Sequence, residues 1–115
     1  MKPLAFFLSA SGLALAAACG SPSGVDSAAY IDELTAAEVT TLCAYRVEAI
    51  GTSSTTCGAL TLRVSTQAQC EAEARPHCLV SSLEDCVDSL AGDPCNFFKT
   101  TACATYLMCA ASADS

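Results

Sequence analysis

Thr35-Ala36-Ala37-Glu38-Val39-Thr40-Thr41-Leu42-Cys43-Ala44-Tyr45-Arg46-Val47-Glu48-Ala49-Ile50-Gly51 is the stretch from which the fold class follows. Thr35 and Glu38 stand at capping-box spacing, so each can satisfy a backbone N–H that a first helical turn leaves open. Val39, Leu42, Cys43, Val47 and Ile50 recur at helical intervals, and Gly51 suits the left-handed residue that often follows a helix. The pattern predicts a helix with Cys43 on its core face, where a half-cystine can pin it to another element. Arg46 falls between Leu42 and Ile50, inside the apolar stripe. Its stem must run along the core, or its guanidinium must meet a carboxylate of another helix. Both are folding roles.

Toward the C-terminus, Thr52–Gly58 is polar and has turn chemistry. Leu60, Leu62 and Val64 then alternate with Thr61 and Arg63, a period-two pattern that predicts a short strand pairing with the Thr-rich segment. Thr66 and Gln69 have the spacing to cap a second helix running to about Ala74, with Cys70 inside it. Arg75-Pro76-His77 ends that helix, because proline disfavours helix at the residue before it. Ser82 and Asp85 mark a third start, with Leu83, Cys86, Val87 and Leu90 on one face. Glu84, Asp85 and Asp88 read as the solvated face, and Gly92-Asp93-Pro94 as the stop. A last helix falls within Phe98 to Ala110, placing Cys103 and Leu107 one turn apart, with Cys109 just beyond. The expected fold is mainly α, a small disulfide-stapled bundle of three to four short helices with at most one short β-hairpin.

Nine cysteines occur in the 115 residues, and eight of them lie between Cys43 and Cys109. These are Cys43, Cys57, Cys70, Cys78, Cys86, Cys95, Cys103 and Cys109. No Cys-x-x-Cys pair is present, which argues against thioredoxin-type redox chemistry and against a zinc ribbon. An even set in a small exported chain reads as structural disulfides. Spacing alone selects no pairing. The first helix must be tied to something distant, which favours Cys43 with one of the C-terminal group, and Cys57 with Cys70 would close a local loop.

The ninth cysteine is Cys19. Lys2 precedes an apolar run from Leu4 to Leu15 that is too short to span a bilayer, and Ala16-Ala17-Ala18 follows. Residues 1–18 have the parts of a secretory signal. Ala17-Ala18-Cys19-Gly20 resembles the lipobox of bacterial lipoproteins, departing from it at Ala16, where a branched aliphatic residue is usual. The whole chain also resembles, in style, the small Cys-rich lipoproteins of myxobacteria-like soil bacteria. The resemblance implies cleavage before Cys19, a diacylglyceryl thioether on its sulfur, and anchorage by several acyl chains, enough for stable membrane binding. Gly20, standing where an Asp would resemble a retention signal, points to the outer membrane. Cysteine parity agrees, since a lipidated Cys19 leaves eight thiols to pair.

The expected organisation is therefore a signal at residues 1–18, an acylated Cys19 with a flexible tether through 34, a disulfide-rich helical domain at 35–110, and a frayed end at 111–115. The tether composition, Gly, Ser and Pro, gives a reach of roughly 17 Å. Without Lys2 the remaining 97 residues carry 4 basic and 12 acidic side chains, a formal charge of −8. That excludes the basic footprint needed to bind nucleic acid or anionic headgroups.

Catalytic signals are absent from the pattern. His77 is the single histidine and sits in a loop beside a cysteine. No Gly-x-Ser-x-Gly elbow, His-Glu-x-x-His pair or phosphate loop occurs. Glu84, Asp85 and Asp88 lack the spacing of a calcium loop, so no catalytic residue, metal ligand or cofactor is assigned. The expected role is that of a non-enzymatic, lipid-anchored envelope module acting in structure or protein contact, with the membrane and an envelope protein as partners. The alternative is a secreted disulfide-rich inhibitor or toxin-like binder using the loops Thr52–Gly58 and Arg75–Cys78. A small envelope hydrolase would require His77 or an acidic pair in a cleft.

Overall fold

A computed structural model describes residues 21–113. The signal segment 1–18, Cys19 and Gly20 lie outside the described residues. Four α-helices follow a short 3₁₀ turn at Ile31–Glu33: α1 (Ala36–Ile50), α2 (Gln67–Ala72), α3 (Val80–Ser89) and α4 (Thr101–Ala113). Between α1 and α2, β1 (Thr55–Cys57) pairs antiparallel with β2 (Leu60–Leu62), and a second 3₁₀ turn at Pro94–Phe98 joins α3 to α4. The chain is mainly helical with one small hairpin, as its pattern predicts.

Local chemistry sets two helix starts as read. Thr35 accepts from the Glu38 N–H while Glu38 accepts from the Thr35 N–H, and Thr66 and Gln69 do the same for α2. Gly51, at φ 95°, closes α1 in a conformation that a side chain rarely adopts. The third start differs from expectation. Helix α3 begins at Val80, ahead of Ser82, and no side chain caps it. Its first N–H groups are met by distant backbone: Val80 donates to the Ala29 carbonyl at 2.9 Å and Ser81 to that of Ser27 at 3.0 Å. The last helix likewise runs beyond the Ala110 limit of the pattern, to Ala113.

Replacing Thr35 or Thr66 with Ala is accordingly expected to cost about 1 kcal/mol in a urea melt, the usual loss for an N-cap. Ser82→Ala, at a site with the sequence signature but no capping role, should stay within about 0.5 kcal/mol of the parent.

Packing is led by the α3–α4 pair, with α2 lying against α1. Among the described residues thirteen apolar ones are buried, and five of them are half-cystines: Cys43, Cys70, Cys78, Cys86 and Cys103. Sulfur thus fills much of the space that larger aliphatic residues occupy in bigger domains. The bridges are Cys43–Cys70, Cys57–Cys95, Cys78–Cys109 and Cys86–Cys103. Each joins two different elements: α1 to α2, β1 to the Pro94–Phe98 turn, the segment before α3 to α4, and α3 to α4.

Both sequence-level pairing guesses are corrected. The hairpin returns the chain so that α2 lies along α1, and Cys43 meets Cys70 within a cluster completed by Val39. Cys57 leaves the hairpin on the side facing the Pro94–Phe98 turn, beyond the reach of Cys70. Among the described residues no helix is long and apolar enough to cross a membrane.

Candidate functional site

The segment expected to be a flexible tether is part of the fold. Ser23 and Val25 are buried, and Val25 joins the cluster of Ile31, Leu42, Cys78, Val80 and Leu83. What holds the segment is Glu84. The residue is 4% exposed, in contrast to the solvated position that its helical register with Asp85 and Asp88 suggests. Oε2 accepts from the Ser21 hydroxyl at 2.6 Å, the Ser23 hydroxyl at 2.6 Å and the Ser23 N–H at 3.2 Å. Oε1 accepts from the Ser27 hydroxyl at 2.5 Å.

Burial alone would raise the Glu84 pKa. The donated hydrogen bonds from Ser21, Ser23 and Ser27 outweigh it and hold the carboxyl below its usual range. Composition hid this clasp, because three serines among Gly and Pro look like linker until their partner, some sixty positions away, is known.

His77 is also less isolated than its loop position suggests. It lies at hydrogen-bond distance from Asp32, with Nδ1 at 3.0 and 3.1 Å from the two carboxylate oxygens, and its ring stacks on Tyr30 at 4.0 Å between centroids. Asp32, Glu33 and His77 bring ligand atoms within 4.8 Å of one another, all on exposed residues. Two carboxylates and an imidazole are a donor set that a divalent cation accepts, and an exposed His–Asp pair forms equally well without one. Among the described residues no serine, threonine or cysteine side chain bonds to the ring, and its loop is tied to α4 through Cys78–Cys109.

Arg46 resolves as an ion pair. Its guanidinium meets Glu73 in two parallel bonds, Nη1 to Oε1 at 3.2 Å and Nη2 to Oε2 at 3.1 Å. The Ser65 hydroxyl donates to the same carboxylate at 2.5 Å. Partial burial pushes the Glu73 pKa up, and the Arg46 and Ser65 hydrogen bonds bring it below its ordinary value.

This pair forms one wall of a cleft of about 240 Å³ between the C-terminal half of α1, the end of β2 and α4. Ile50, Leu62, Val64, Phe97, Tyr106 and Leu107 supply most of the remaining lining, and Arg63 stands at its edge. The four basic residues of the described chain are spread out, yet two of them, Arg46 and Arg63, border this cleft.

No protein-family model matches the chain, and no curated protein or solved structure does either.

Proposed function

We propose that the protein is a non-enzymatic, lipid-anchored module of the outer membrane that works through contact with another envelope protein. The observation carrying this reading is the pairing of all eight cysteines from Cys43 to Cys109, so Cys19 is the one cysteine of nine that these four bridges do not use. Four bridges suit an oxidising compartment, and the sequence around Cys19 suits acylation.

The clasp sharpens the geometry of such an anchor. Ser21 is already fixed to Glu84, so Gly20 alone separates an acylated Cys19 from the fold. The two backbone steps from residue 19 to residue 21 span at most about 7 Å. The domain would be seated on the membrane surface, with the Ser21–Glu84 side toward the lipid and the opposite side free for a partner. The acidic balance of the chain gives such seating no help from anionic headgroups, so the covalent lipid must supply the attachment.

Expressed in a diderm host, the full chain is expected to fractionate with outer membranes. Cys19→Ser should appear instead in the soluble periplasmic fraction or the medium, at least tenfold depleted from membranes, because the acyl chains supply nearly all the partitioning energy. Equal membrane association of both proteins refutes the anchor. A lipid-free parent recovered from the medium favours the secreted binder.

A further inference from the structure

We propose that the cleft bordered by Arg63 and Tyr106 binds a small organic carboxylate with an apolar body. This goes beyond the anchoring proposal and does not depend on it. Ile50, Leu62, Val64, Phe97 and Leu107 make the walls apolar, and burying an apolar body against them is the main source of affinity. The volume of about 240 Å³ equals the room of about eight waters in the liquid, which limits the occupant to a compact molecule.

The polar groups of the cleft divide into two kinds. Arg46, Glu73 and Ser65 satisfy one another and have little left to offer a ligand. Arg63 and the Tyr106 hydroxyl, by contrast, make no hydrogen bond or ion pair with any described residue. Tyr106 is nonetheless set into the wall, and burial raises its phenol pKa, so at neutral pH it is a neutral O–H donor. Among the described residues no fully buried side-chain N or O atom lacks a partner, so the Tyr106 oxygen reaches solvent, and the residue lines the cleft.

An unneutralised guanidinium and a free phenol lining one apolar cleft are complementary to a carboxylate, which accepts from both. The sign is set locally: Arg46 and Glu73 neutralise each other, which leaves Arg63 as the uncompensated charge of the lining. A cationic or purely hydrocarbon occupant would leave Arg63 unused.

The test uses the full chain with its disulfides formed, labelled with nitrogen-15 and titrated with 3-phenylpropionate, its neutral analogue 3-phenylpropanol, and a tetrapeptide ending in a free C-terminal Phe. The expected result is that 3-phenylpropionate shifts the amides of Val47, Leu62, Val64 and Leu107. It should bind about tenfold more tightly than the alcohol, as a charge-assisted hydrogen bond outweighs a neutral one. Arg63→Gln should remove that preference, and Tyr106→Phe should weaken the acid about threefold while leaving the alcohol unchanged. Neither replaced group bonds within the described fold, so both variants keep the parent structure. Equal affinity for acid and alcohol, an Arg63→Gln variant that retains the preference, or no shift with millimolar acid overturns the proposal. Binding of the tetrapeptide without binding of the free acid overturns it too and assigns the cleft to a polypeptide terminus.

Discussion

Reduction with dithiothreitol at neutral pH and room temperature is expected to abolish the helical circular dichroism of this protein. The four bridges close segments of 27, 38, 31 and 17 residues. Loop-closure entropy assigns each about 3–4 kcal/mol. The full set cannot be summed, because one crosslink already shortens the loops closed by the others, but even two of them rival the entire stability of an ordinary domain, about 5–15 kcal/mol. The half-cystines also form a large part of the buried apolar surface, so separated thiols leave the core loosened as well as unconstrained.

The bridges should fall in order. Cys57–Cys95 ties partly exposed residues at the hairpin and should be reduced first, whereas Cys86 and Cys103 are both 0% exposed and should be reduced last. Timed alkylation with mass mapping reads this order directly. A helical signal that survives complete reduction would show that the aliphatic core suffices alone.

The second large effect is expected at Glu84. Glu84→Ala removes the acceptor of four hydrogen bonds and strands the hydroxyls of Ser23, which is 6% exposed, and Ser27, while Ser21 keeps the Val25 carbonyl as an acceptor. Hydrogen bonds to a charged group contribute about 1.5–3 kcal/mol each in isolation, and they are partly redundant here, so a loss of about 3 kcal/mol is expected. Release should be local: amide exchange should accelerate over residues 21–29 and at the first turn of α3, which those residues cap.

The pH dependence has a definite sign. The folded-state pKa of Glu84 is depressed, so its contribution is complete above the ordinary carboxylate pKa and is lost as pH falls through the lower folded value. Protection of residues 21–29, measured relative to the intrinsic exchange rate at each pH, should therefore be high at neutral pH and fall below about pH 4. In Glu84→Gln the segment should be loosened at every pH, with the acid-triggered step missing. Unchanged protection in both variants would remove the clasp from the account.

How much of this was legible beforehand depended on the range of the interactions. The Thr35–Glu38 and Thr66–Gln69 boxes are built from residues three apart, and the hairpin from residues at most seven apart, so their signals survive in any short window. Ser82–Asp85 carries the same signature without effect, because the orphan N–H groups of α3 are met by residues 27–29, which no local pattern links to it. Glu84 was misplaced for the same reason. Its helical register groups it with Asp85 and Asp88, and only tertiary contact with a serine-bearing segment makes burial of its charge tolerable. The cysteines announced that they would pair. Which would pair was decided by the hairpin folding α2 back along α1, a three-dimensional fact that spacing does not encode. Arg46 was readable as a folding residue from its place in an apolar stripe, whereas its partner Glu73 and the adjoining cleft were not.

The account rests on four particular bridges that exclude Cys19, and peptide mapping under non-reducing conditions tests it most directly. The full chain, recovered from an oxidising compartment, would be alkylated before proteolysis. The predicted result is four crosslinked peptide pairs, Cys43 with Cys70, Cys57 with Cys95, Cys78 with Cys109 and Cys86 with Cys103, with no alkylated sulfur among them. A Cys57–Cys70 crosslink, or alkylated cysteines anywhere from Cys43 to Cys109, would contradict it.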